Sequence, residues 1–166
     1  MIRSILYATD LGLYAPYVLQ HALALARAFR AGLYVVHAVE PMGLFAESVL
    51  QTYLDEERLG ELRSKGLNTV MASIEERVLE GFRDELGEAQ HESEVIRAVQ
   101  VVQGDPPLMI LQVAEKLGVD MLVIGSHSHG TGQEVPLGRT AAQLVQLADV
   151  PVYMVPMLQH RSRSEQ

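Results

Sequence analysis

With 166 residues, 48% of them apolar, and a formal net charge of -8, the chain has the length of one domain that buries about 70% of its unfolded surface. It is too acidic to grip nucleic acid, which needs clustered Lys and Arg. Cysteine is absent, which excludes disulfides, thiolate zinc sites and a cysteine nucleophile. The start, MIRSILYATD, lacks a signal-peptide core and nowhere do about 18 apolar residues follow one another, so a soluble cytoplasmic protein without a membrane span is expected.

In chain order, Ile5 to Ala8 is nearly continuously apolar, the pattern of a strand covered on both faces. Residues 15 to 30 place Val18, Leu19, Ala22, Leu25, Ala26 and Phe29 along one helical face, with Gly32 as the stop. Leu33 to Val39 is a second apolar strand. A long helical pattern covers roughly 46 to 89, where Val70, Ile74, Val78, Phe82 and Leu86 recur at spacings of four and Gly60 and Gly66 are candidate breaks. Val95 to Val102 mixes Arg97 and Gln100 into its apolar run, the pattern of a less buried strand at a sheet edge. In GDPPLMILQVAEKLG, Asp105 can cap exposed amides, Pro106 suits the first helical position and Gly118 ends the helix. Met121 to Ile124 is a fourth strand, Leu137 to Leu147 a last helix, and Val152 to Val155 a fifth strand. This alternation means an α/β domain with an open five-stranded parallel sheet, right-handed crossovers and helices on both faces. The domain is expected to span residues 1–157, with a polar, disordered tail at 158–166.

In such a sheet, ligands bind at the carboxyl ends of the strands, where the strand order reverses. Two loops meet that rule if the first and fourth strands are neighbours. In YATDLG, Asp10 has three readings: a hydrogen-bond acceptor for a ligand, a cation ligand, or a cap for backbone amides before the first helix. After the fourth strand comes GSHSHGTGQEVPLGRTA, where Gly125, Gly130, Gly132 and Gly138 let backbone N–H groups approach phosphate oxygens above a helix start. Arg139 adds a charge, and Ser126, Ser128, Thr131 and Thr140 add hydroxyls. Neither G-K-[ST] nor an early G-x-G-x-x-G occurs. His127 and His129, with Asp10 or His37, form an alternative Zn or Ni set, although only the H-x-H unit is local. No nucleophile elbow surrounds the serines. His37 reads as a structural or crevice-lining histidine.

Taken as an ordered set, SILYATDLG, LYVVHAVEP, VVQGDPPLMILQVAEKLGVDMLVIGSHSHG and LGRTAAQLVQLADVPVYMVP resemble a single-domain universal stress protein over residues 2 to 156. The resemblance implies strand order 3-2-1-4-5 and the Rossmann-like nucleotide-binding fold of that family. ATP-binding members carry G-x2-G-x9-G-[ST]. Gly125 and Gly138 match its first and third positions, whereas Ser128 replaces the second glycine and Arg139 the hydroxyl residue, with Thr140 one later. A Cβ at 128 threatens the tight turn beside the phosphates; Arg139 either pairs with a phosphate or fills its place.

By resemblance, Asp10, the backbone near Val39, Gly125 and Gly138 hold ATP or another adenine nucleotide, with or without Mg2+. Ser126, His127, Ser128, Gly130, Arg139 and Thr140 join them by location. The resemblance also implies a homodimer through the fifth strand, Val152 to Val155, a short apolar edge that needs protection. The leading reading is a stress-response or signalling protein with at most slow ATP hydrolysis, since no water-activating base or metal-organising set stands out. Two alternatives stay open: a dimeric interaction protein that binds no nucleotide and recognises a protein partner, and a metal-binding protein or weak nucleotide hydrolase using His127 and His129.

Overall fold

A computed structural model describes residues 1–12, 14–40, 44–61, 94–127 and 137–156, with positions 72, 76, 80 and 81 between them. The apolar runs form β1 (Ser4–Ala8), β2 (Gly32–Val39), β3 (Ile96–Gln103), β4 (Met121–Gly125) and β5 (Val152–Val155). All pair in parallel, in one sheet of order β3-β2-β1-β4-β5. The expected order therefore holds, and the reversal lies between β1 and β4. As its mixed composition predicts, β3 is an edge strand, mostly half-buried, while the interior of β1 is fully buried.

The period of two in the strands sorts side chains between two cores. Ile5 and Tyr7 of β1, with Leu33, Val35 and Val123, pack under α1 (Ala15–Phe29). Leu6, Val36, Leu122 and Ile124 face the opposite way, against α4 (Pro106–Leu117) and α5 (Arg139–Leu147). Residues 44 to 61 form α2 (Leu44–Tyr53) and α3 (Glu56–Glu61). The pattern from Val70 to Leu86 and the 158–166 tail lie outside the described residues.

Three local expectations need correction. The first helix stops at Arg30, not through Gly32: Arg30 adopts a left-handed φ of 54° and its N–H donates back to Ala26 and Arg27 carbonyls, while Gly32 already begins β2. Phe29, the last helical residue before that reversal, is exposed, and Leu23 joins the buried face instead. Finally, within residues 44–61 the break falls before Gly60, which lies inside α3, while Gly66 lies outside the described residues. Asp55 makes the break, because its Oδ1 accepts the Arg58 N–H at 2.8 Å and starts a new helix. Gly118 ends α4 as expected, at φ 59°.

At the opposite end of the sheet from the candidate site, Asp120 fastens β4 to the chain start. Its Oδ2 accepts the N–H groups of Arg3 at 2.8 Å and Ser4 at 3.0 Å, and the Ser4 hydroxyl at 3.1 Å. These bonds, that of the Arg3 amide foremost, hold its pKa below the ordinary 3.8. A lowered carboxylate pKa stabilises the fold above the unfolded value, and the contribution is lost as pH falls through the folded value. Asp120→Asn is expected to lower the melting temperature at neutral pH but to shrink the gap to the natural protein as pH drops below about 4. A gap constant from pH 7 to about 2.5 would remove the linkage.

Candidate functional site

A cavity of about 400 Å³ opens at the carboxyl ends of β1, β2 and β4, at the reversal of strand order where such sheets bind ligands. β1 brings Tyr7, Ala8, Thr9 and Asp10 to it, β2 brings His37 and Ala38, and β4 brings Ile124 and Gly125. The starts of α1, α4 and α5 close the remaining sides.

The β1 end is held by a chain of local bonds. Buried Tyr7 donates its hydroxyl to the Ala15 carbonyl at 3.0 Å, fixing where α1 begins, and burial pushes its phenol pKa well up. Thr9 Oγ1 accepts the Leu11 N–H at 3.1 Å, and Asp10 Oδ1 accepts the Gly12 N–H at 2.8 Å. These bonds secure the left-handed Leu11, whose φ is 57°. The amide-bonding reading of Asp10 is thus realised, and its Oδ2 has no hydrogen bond among the described residues.

His37 carries information that no sequence pattern gave. Its Nδ1 lies 2.8 Å from the Thr9 carbonyl oxygen. A carbonyl only accepts, so Nδ1 carries the proton. In its neutral form the ring then presents Nε2 as an acceptor, from a side chain that lines the cavity. Sequence reading left His37 between a structural and a crevice-lining role; it fills both.

Val39 lies just outside the lining. Its carbonyl accepts the Gly104 N–H at 2.9 Å, and Ala38 and Glu40 on either side of it face the cavity.

On the β4 side, Gly125 and Gly138 both line the cavity although they stand 13 positions apart in sequence. Neither has a positive φ, and what Gly138 supplies is space: a Cβ there would stand 3.1 Å from the Ser126 carbonyl oxygen. That oxygen accepts the Gly138 N–H at 3.1 Å, so this amide serves the loop. Ser126 is buried, and its Oγ and His127 Nδ1 lie 2.9 Å apart. Ser128, His129, Gly130, Thr131 and Gly132 lie outside the described residues. Among the described residues no three His, Asp or Glu side chains group as a metal site.

Arg139 and Thr140 occupy the first turn of α5 and line the cavity. An Arg139 terminal nitrogen stands 3.9 Å from Asp105 Oδ1, with both side chains substantially exposed. A pair this long and wet is worth at most about 1 kcal/mol. Asp105 does occupy the capping position of α4, yet its side chain makes no cap bond. Of the two amides that a cap can bond, those of the second and third helical residues, Pro107 removes the first and leaves Leu108.

The wider comparisons agree with this geometry. The chain matches the family model described as Universal stress protein family over residues 1–156. It is similar to Universal stress protein MJ0577 of Methanocaldococcus jannaschii, 23% identical over 158 residues, covering 93% of this chain and 95% of the relative. The MJ0577 structure superposes with a TM-score of 0.69 at 24% identity, over 96% of this chain and 99% of that one. Universal stress protein UspA from Lactobacillus plantarum gives 0.59 at 18% identity, over 93% and 97%. The universal stress protein from Archaeoglobus fulgidus in complex with dAMP gives 0.52 at 18%, over 93% and 97%. Matched by the family model over residues 1–156, the chain belongs to the universal stress protein family.

Proposed function

We propose that this protein is a stress-response or signalling protein that binds an adenine nucleotide in the cavity between Asp10 and α5. The observation that carries the reading is the convergence of Asp10, Gly125, Gly138 and Arg139 on one cavity at the β1/β4 reversal. The dAMP complex of the Archaeoglobus relative supports it. In this reading Asp10 Oδ2 and His37 Nε2 accept hydrogen bonds from the nucleoside, with the backbone near Val39 beside the base. Gly125 and Gly138 leave room for the ribose and phosphate, while Ser126, His127 and Thr140 add polar contacts. Ser128 and Gly130 complete the loop by sequence position. Mg2+ accompanies a polyphosphate if one binds. Hydrolysis in this reading is at most slow.

The protein is proposed to act in the cytoplasm as a homodimer. No described helix is long and apolar enough to cross a membrane. Among the described residues β5 pairs only with β4, and Tyr153 and Met154 are exposed at the sheet edge, a surface suited to pairing with a second copy. A second reading, a dimer that binds a protein partner and no nucleotide, is favoured by one observation: Arg139, at the family's hydroxyl position, already has a partner in Asp105.

Calorimetric titration with AMP and ATP, with and without Mg2+, decides between them. Saturable binding that Gly138→Trp abolishes, in a variant that keeps its far-ultraviolet circular dichroism, is the expected result. No heat with either nucleotide, and none released on denaturing the purified protein, would leave the partner-binding dimer as the better account.

A further inference from the structure

Three helix starts face the cavity, and they differ in what they can give an anion. In α1 the Ala15 N–H already donates to the Gly12 carbonyl at 3.0 Å, and the next residue, Pro16, has no N–H. α4 begins with Pro106 and Pro107, so its first two donors are missing, and the carboxylate of Asp105 stands before them. α1 and α4 each keep one donor of their first three, at Tyr17 and Leu108, whereas α5 keeps all three, those of Arg139, Thr140 and Ala141, because the first amides of a helix lack partners within it. Arg139 also lines the cavity, with its guanidinium toward Asp105.

Fixed charge points the same way. The described cavity wall carries three carboxylates, Asp10, Glu40 and Asp105, and one permanent cation, Arg139. A triphosphate, at about four negative charges, would meet a net negative wall at close range. A phosphomonoester, at about two, matches one guanidinium and one helix start.

We infer that the cavity selects a nucleoside monophosphate over the triphosphate, with Arg139 leaving Asp105 to hold the single phosphate at the start of α5. This rests on the nucleotide reading above and names its ligand class. The 3.9 Å separation of the exposed Asp105–Arg139 pair leaves the guanidinium ready to exchange partners. Asp105 acts as a competitor for Arg139 and, through its own charge, as a further repulsion against added phosphates.

The test is calorimetric titration of the full-length protein and of Arg139→Gln and Asp105→Asn with adenosine, AMP and ATP, first in EDTA and then with Mg2+. In EDTA, AMP is expected to bind at least about tenfold more tightly than ATP. Arg139→Gln should weaken AMP by about tenfold more than it weakens adenosine. Asp105→Asn should strengthen AMP by a factor of about three and narrow the gap to ATP. Mg2+ should narrow that gap too, by supplying the missing positive charge. ATP binding as tightly as AMP in EDTA would overturn the selection and leave the nucleotide reading standing. An unchanged ratio of AMP to adenosine in Arg139→Gln would overturn the role of Arg139. Failure of all three ligands to bind the natural protein would overturn both readings.

Discussion

Gly104→Ala is expected to cost about 2–4 kcal/mol of stability, from backbone strain and overpacking together. Gly104 joins β3 to α4 with a φ of 152°, which side chains avoid. A Cβ there would also lie 2.6 Å from Cγ and Sδ of Met109. The two causes separate in a double-mutant cycle measured by urea unfolding. In a Met109→Ala background the crowding disappears, and about 1–2 kcal/mol should remain for the backbone alone. A total cost below about 0.5 kcal/mol would mean that the turn relaxes to another conformation. The site is also affected, because this turn bonds Val39 through the Gly104 N–H and sets Asp105 opposite Arg139.

Leu144→Ala should cost about 3 kcal/mol, within the range for emptying a fully buried leucine position. Leu144 is 1% exposed, and it and Ala141 are the two buried residues of the nine-residue α5. So short a helix depends on packing more than on its own propensity. Faster hydrogen exchange at the amides of residues 139 to 147 should therefore exceed the change elsewhere. Val145→Ala, at a half-exposed neighbour, is the control, with an expected cost below about 1 kcal/mol. Equal costs at the two positions would show that α5 is not anchored through Leu144. Since α5 carries Gly138, Arg139 and Thr140 to the cavity, ligand affinity should fall along with stability.

The site was legible in the sequence in outline and misread in its wiring. The Gly125 and Gly138 pair and Asp10 could be placed at one crevice because the crevice follows from strand order, and strand order from the family resemblance. What the pattern did not say is which polar groups are already used. Gly138 counted as a supplier of N–H to a ligand, and its amide serves Ser126. Asp105 counted as a helix cap, and its carboxylate faces Arg139. One of these had a partial signal in the sequence: Pro107 removes one of the two donors that a cap at Asp105 can use. Arg30 gave no such warning, since a left-handed arginine looks like any other surface arginine.

Apart from the split of α2 from α3 at Asp55, the order and type of the described elements follow from the sequence alone, because apolar periodicity, prolines and the Gly118 stop act within a few residues. The edge position of β3 was legible for the same reason, as its polar residues stand inside the run itself. Tertiary structure decided everything that depends on distance between remote residues. Asp120 meets Arg3 and Ser4 across 117 and 116 positions, and Thr9 settles which nitrogen of His37 holds the proton across 28. No local pattern encodes such pairs. They exist because parallel strands bring their ends together, and each bond then settles which donors and acceptors remain for a ligand.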